Sequence, residues 1–221
     1  MIKGQINMKD LIIIGCGGFG REVAWLVDRI NQKSPTWNLL GFLDDTDEKQ
    51  GNIYNGYKVL GYVSDVTKYD AWYVCAIGSS KDRQTVIDRI TKMHPSVRFA
   101  TLIDPGAEIS DYVTIGDGTI VCAHSVITVN ISIGKHVIIN LDCTVGHDAV
   151  LQDYVTLYPS TNISGVVNIG CSTEIGTGSQ IIQGKNVGSN TIVGAGSVII
   201  RDIPSNCTAV GCPAKPIKFF E

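Results

Sequence analysis

No stretch of this 221-residue chain approaches about 18 consecutive apolar residues, so no membrane-spanning helix is expected. Basic residues do not dominate either. Eighteen Lys and Arg stand against 21 Asp and Glu, for a net charge of −3, and the longest basic cluster is the short run around Lys215 and Lys218. That balance argues against a nucleic-acid partner. The opening residues, MIKGQINMKD, lack the apolar region of a signal peptide. Cys-x-x-Cys spacing is missing as well: the seven cysteines, at 16, 75, 122, 143, 171, 207 and 212, are scattered and mostly sit inside apolar repeats. A reduced, cytoplasmic protein is therefore expected rather than a disulfide scaffold. The length leaves room for one or two domains that can each bury a core.

What the chain does have is a repeat. Stepping by six from Ile109 through Ile115, Val121 and Ile127 to Val193 and Ile199, all sixteen positions are Ile, Val or Leu. Gly often follows, as in Ile133-Gly134, Val145-Gly146 and Ile175-Gly176, and the residue four after the aliphatic one is mostly small or β-branched (Ser125, Thr161, Thr173, Ser179). A period of six fits neither an amphipathic helix nor a simple hairpin. It fits a parallel β-helix in which each hexad supplies one short strand and one corner. Three hexads then make a coil of eighteen residues, stacked at about 4.8 Å. Each inward aliphatic side chain adds roughly 1.5–3 kcal/mol of gross burial. The corner glycines are expected to supply positive φ. The series has no gap, so no loop interrupts the prism.

Residues 10–98 differ in texture. Leu11-Ile12-Ile13-Ile14 reads as a buried strand running into Gly15-Cys16-Gly17-Gly18-Phe19-Gly20, followed by a helix from Arg21 to Ile30. A second strand over Leu39–Leu43 ends at Asp44-Asp45, a third over Trp72–Ile77 ends at Gly78-Ser79, and a further helix runs to about Met93. Strands alternating with helices imply a parallel sheet with helices on its faces. The glycine loop between a strand and a helix N-terminus suits a phosphate, although a tight turn that binds nothing is the bland alternative. Asp44 lies about where a ribose-binding acid belongs. With only half of a full doubly wound domain, a mononucleotide or nucleotide-sugar fits better than a dinucleotide. Ligands bind such sheets at the C-terminal strand ends, which assigns Gly17, Gly18, Phe19, Asp44, Asp45 and Gly78 to this ligand. The expected organisation is a tail over residues 1–8, the nucleotide-sugar domain over 9–98 and the β-helix over 99–221.

Of the four histidines, His147 has company: a corner Gly146 before it and Asp148 after it. A neighbouring carboxylate orients an imidazole and raises its basicity. Counting by eighteens sets Gly165 one coil above His147, where it frees room beside the ring, and Asn130 one coil below Asp148, within hydrogen-bonding reach. His124 and His136 lack such company and read as surface or packing residues. His124, His136 and His147 also lack the close pair of a zinc site, so no metal is expected.

Taken together, Gly15 to Gly20, Phe42-Leu43-Asp44-Asp45, Ala76-Ile77-Gly78, Gly146-His147-Asp148 and Gly211-Cys212-Pro213-Ala214-Lys215 resemble the PglD/NeuD-type sugar acyltransferases of the hexapeptide-repeat class. The resemblance implies an α/β Rossmann-like half-domain followed by a left-handed β-helix, assembled as a homotrimer. It implies acetyl transfer from acetyl-CoA to the amino group of a nucleotide-linked 4-amino-4,6-dideoxy sugar for glycan synthesis, with His147 as general base tuned by Asp148. Acetyl-CoA is then expected in the groove between prisms, along Gly165, Thr177 and Ala195, with Lys215 toward its phosphates. Thr156 departs from the pattern, since several members carry a cofactor-touching His there. Two other functions stay open: O-acetylation of a sugar or sialic acid, and a non-catalytic, trimeric nucleotide-sugar-binding scaffold.

Overall fold

The computed structural model describes residues 8–220. The expected tail over 1–8 therefore lies, but for Met8, outside the described residues. The chain divides into two compact units. One takes the described residues up to Ile77 together with Thr85–Ala100; the other is Gly78–Gln84 with the residues from Thr101 onward.

The first unit follows chain order as β1 (Lys9–Ile14), α1 (Gly18–Lys33), β2 (Trp37–Leu43), β3 (Ile53–Tyr54), β4 (Tyr57–Gly61), β5 (Trp72–Cys75), α2 (Ser80–Met93, its start belonging to the second unit) and β6 (Arg98–Phe99). The sheet order is β3-β4-β2-β1-β5-β6, parallel throughout except for the β3–β4 hairpin. Leu11 to Ile14 are fully buried, as a central strand covered on both faces requires. The hairpin is new relative to the sequence reading. Its turn is Asn55-Gly56, both at positive φ (50° and 85°), the backbone that a two-residue hairpin of this twist needs.

The second unit is a three-sided parallel β-helix. Its strands are two residues long, and the aliphatic positions pair eighteen residues apart: Ile127 with Val145, Val145 with Ile163, Ile163 with Ile181, Ile181 with Ile199. Those side chains are essentially inaccessible and form one core through the prism. The small residue four positions on is buried too, and its hydroxyl donates to a carbonyl of the next coil, as Ser125 does to Asn140 O (2.9 Å) and Thr173 to Gly188 O (2.7 Å). A hydroxyl there satisfies a corner carbonyl that the flat strands leave over.

The structure corrects the role expected of the corner glycines. Positive φ falls three residues after the aliphatic position, mostly on side-chain-bearing residues such as Asn130, Asp142, Asp148 and Asn190. Asn and Asp tolerate that region best. Glycines such as Gly146 and Gly176 have ordinary φ, and what requires them is close approach, since a Cβ on either would overlap backbone of the next coil. The prism also extends beyond the sequence series. Leu102–Ile103 pairs with Ile120–Val121 and begins it one hexad early. At the other end the pairing interval shortens by two, Val193 meeting Ala209, before a hairpin of Cys207–Gly211 and Ala214–Phe219 closes it.

Candidate active site

His147 and Asp148 stand on a corner between the strands Thr144–Val145 and Val150–Leu151. Val145 and Ala149 are fully buried and pin the corner, which leaves the two polar side chains about half exposed. Asp148 adopts φ +59°, and its N–H donates to Val129 O (3.1 Å). Its carboxylate meets the neighbouring ring, with His147 Nδ1 2.8 Å from Asp148 Oδ2. A carboxylate accepts only, so the ring proton sits on Nδ1 and the lone pair on Nε2. Asn130 Nδ2 donates to the other oxygen (3.3 Å). The hydrogen bonds from His147 and Asn130 hold the Asp148 carboxyl below its ordinary value. Gly165 lies beneath the ring, and a Cβ there would overlap Nε2, Cε1 and Cδ2. The room that glycine frees is therefore taken by the imidazole itself.

The other positions assigned to acetyl-CoA stand elsewhere on the prism. Thr177 and Ala195 are exposed on the corner that follows Glu174–Ile175 and Ile192–Val193, a different edge from that of His147 and Gly165. Lys215 is exposed on the terminal hairpin. Within one chain these residues do not converge on His147.

In the first unit the glycine loop divides by role. Gly15 has φ +93°, and a Cβ on Gly20 would overlap Gly15 O, so these two build the turn. Gly17 has φ −81°, and a Cβ on Gly17 or Gly18 meets nothing within 4 Å. The fold does not require either to be glycine. The α1 N-terminus has no side-chain cap and no acidic residue in its first turn, while Phe19 is half-buried. Asp44 is already engaged: it accepts from Cys16 N (2.7 Å), Thr46 N (3.0 Å) and Lys49 Nζ (3.0 Å). Burial works against its charge, but these hydrogen bonds outweigh it and leave the carboxyl below its ordinary value. Asp44 thus clamps the glycine loop. Asp45 accepts from Val63 N (2.9 Å) and Arg89 Nη2 (2.6 Å).

Gly78 falls in the β-helix unit, where its carbonyl accepts from Arg83 Nη1 (3.0 Å) and Thr156 Oγ1 (2.9 Å). Thr156 is fully buried against this segment. Sequence reasoning missed Arg83, which is only 1% exposed. One available signal was the residue preceding the aliphatic one. In three successive coils it is apolar (Leu102, Ile120, Ile138) before Thr156 and Glu174 end the run, and Leu102, Ile120 and Ile138 are buried. His136 is a packing residue, stacked on Tyr154 at 5.4 Å, and burial with the nearby Arg83 charge pushes its pKa down to about 4. His124 is exposed. Among the described residues, no group of three His, Cys, Asp or Glu side chains is arranged to hold a metal ion.

Residues 10–90 match the family model described as the PglD N-terminal domain. Among solved structures, the acetyltransferase domain of PglB from Neisseria gonorrhoeae is 31% identical, covering 95% of this chain and 100% of that one at a TM-score of 0.85. WeeI from Acinetobacter baumannii is 32% identical, covering 96% and 100% at 0.84. A histidine-to-asparagine variant of the perosamine N-acetyltransferase from Caulobacter crescentus, in complex with CoA and GDP-perosamine, is 27% identical, covering 96% and 97% at 0.84. Superposition at this level fixes the hand of the β-helix as left. Curated proteins match over shorter stretches. UDP-N-acetylbacillosamine N-acetyltransferase of Bacillus subtilis is 35% identical over 121 residues, 52% of each chain, and the uncharacterized protein L142 of Acanthamoeba polyphaga mimivirus is 32% identical over 97 residues, 19% of its length. The chain thus spans about half or less of those two relatives.

Proposed function

This chain belongs to the PglD/NeuD-like sugar acyltransferases, and we propose that it moves the acetyl group of acetyl-CoA onto the amino group of a nucleotide-linked 4-amino-4,6-dideoxy sugar. The observation that carries this reading is the His147 ring, half exposed and held by Asp148 in the tautomer that leaves Nε2 basic. The acceptor nitrogen attacks the thioester carbonyl, Nε2 takes the proton that nitrogen loses, and the C–S bond breaks as the CoA sulfur leaves and is protonated. A donor-acceptor pair of this kind is supported by relatives: the Neisseria domain has been solved with acetyl coenzyme A and the Caulobacter enzyme with CoA and GDP-perosamine.

The α/β domain, residues 9–98, receives the nucleotide. Gly17 and Gly18, which nothing in the fold requires to be glycine, leave the α1 N-terminus open to a diphosphate, with Phe19, Asp44 and Asp45 framing it and Gly78 beside the sugar. Acetyl-CoA takes the β-helix, residues 99–221. Gly165 and His147 come from one prism edge, while Thr177, Ala195 and Lys215 come from the other edge of a neighbouring copy, so the working unit is a homotrimer. Seven cysteines, none of them in a disulfide, fit a reduced cytoplasmic setting.

The test is turnover with acetyl-CoA and UDP-, GDP- or dTDP-linked 4-amino sugars, followed by release of free CoA thiol. His147→Ala is expected to lower kcat about 10²–10⁴-fold while CoA binding and fold are retained. Near-full turnover by that variant, or a monomer by light scattering at micromolar concentration, overturns the reading.

A further inference from the structure

Arg83 is almost completely buried, and its guanidinium donates to backbone carbonyls and to one buried hydroxyl. Nε donates to His136 O (2.9 Å), Nη1 to Gly78 O (3.0 Å), and Nη2 to Tyr154 O (2.8 Å) and Thr156 Oγ1 (2.9 Å). One planar fork thereby spans two successive coils and the turn that follows β5. We propose that Arg83 is a positioning residue for acceptor binding: together with Thr156 it fixes the Gly78 carbonyl, and with it the turn that meets the nucleotide-sugar. This rests on the function proposed above, in which Gly78 borders the acceptor.

Three features carry it. First, Gly78 O accepts two hydrogen bonds, from Arg83 and from Thr156 Oγ1, so both of its lone pairs are used and its direction is set. Second, the segment is fastened again on either side of Arg83. Ser80 N donates to Glu174 Oε1 (2.8 Å), Tyr158 OH holds the other oxygen of that carboxylate (3.0 Å), and Ser172 Oγ donates to Gln84 Oε1 (2.7 Å). Third, nothing in the fold requires glycine at 78. Its φ is not left-handed, and an added Cβ would make only ordinary contact with Tyr158, 3.7 Å from the hydroxyl. A turn held so firmly while its own surface is kept bare suits close approach by a ligand.

Thr156→Val keeps the shape and removes one of the two bonds to Gly78 O. Arg83→Lys keeps the charge but loses the fork, since an ammonium is a point donor that does not reach these acceptors at once. Both are expected to raise the acceptor KM roughly tenfold while the KM for acetyl-CoA stays within about twofold, since each loosens the Gly78 carbonyl and neither touches the cofactor. If Arg83→Lys does not fold, Thr156→Val, which leaves the guanidinium in place, carries the test. A lowered Tm with both KM values unchanged makes Arg83 merely structural and overturns the proposal. Gly78→Ala separates this from the underlying reading. If it leaves the acceptor KM unaltered, Gly78 does not border the acceptor and the assigned site itself fails. If it raises that KM while Thr156→Val does not, only the role of Arg83 falls.

Discussion

Asn130 Nδ2 donates to Asp148 Oδ1 across 3.3 Å from the preceding coil, so the residue that orients His147 is itself oriented by a neighbour eighteen positions earlier. The two hydrogen bonds on Asp148 keep its carboxyl below the ordinary carboxylate value. A folded-state pKa lowered in this way means the ionised pair is intact above that value and lost as pH falls through it. Asn130→Ala is expected to move this loss to higher pH, toward the ordinary range, and to reduce kcat a few-fold. Asp148→Asn should reduce kcat about 10–100-fold, less than His147→Ala, because an amide oxygen still accepts from Nδ1 but carries no charge. The pH profile of kcat/KM and an NMR titration of the Asp148 carboxyl check both.

Gly165→Ala tests the seat of the imidazole. The new Cβ would collide with three ring atoms, and the half-exposed ring gives way more readily than the coil backbone. Displacement by about 1 Å is expected to lower kcat on the order of 10²-fold with Tm nearly unchanged. Full activity would show that the ring relocates without losing its alignment.

Gly17 and Gly20 are expected to separate binding from stability. Gly17→Val sets its Cβ in open space and meets no left-handed strain, so Tm should hold while the acceptor KM rises strongly and the CoA Kd does not. Gly20→Ala drives a methyl into Gly15 O, and its effect should be a loss of Tm whichever ligand is present. A Gly17→Val protein with unchanged KM returns the loop to a plain structural turn.

His136 supplies a pH-dependent share of stability. Its folded pKa is about 4, below the unfolded value, because burial and Arg83 disfavour the charged ring. Between those two values the unfolded chain binds the extra proton, so stability is fully present above about pH 6.5 and drains as pH falls toward 4. The linked contribution is about 3 kcal/mol. His136→Asn, which tolerates the same φ of +54°, should flatten urea-derived stability across that window. A wild-type profile that is already flat there contradicts the assignment.

Much of this architecture is written locally. Every sixth side chain must be aliphatic because it points into the prism, and a coil of eighteen by itself sets Asn130, Asp148, His147 and Gly165 in neighbouring columns. The Asn-Gly hairpin at 55–56 and the apolar third-hexad column at Leu102, Ile120 and Ile138 were equally legible but carry short signals beside the repeat.

By itself, then, the sequence determined the β-helix, the α/β sheet in front of it and the His147–Asp148 corner, because each follows from a period or from adjacent residues. Only the tertiary structure decided that Asp44 clamps the glycine loop, that His136 is sealed beside Tyr154, and that Arg83 ties Gly78 to coils that lie 53 to 73 residues from Arg83 itself. The contacts of Asp44 and Arg83 obey no repeat. They arise where a buried donor must find acceptors wherever the fold has brought carbonyls within reach.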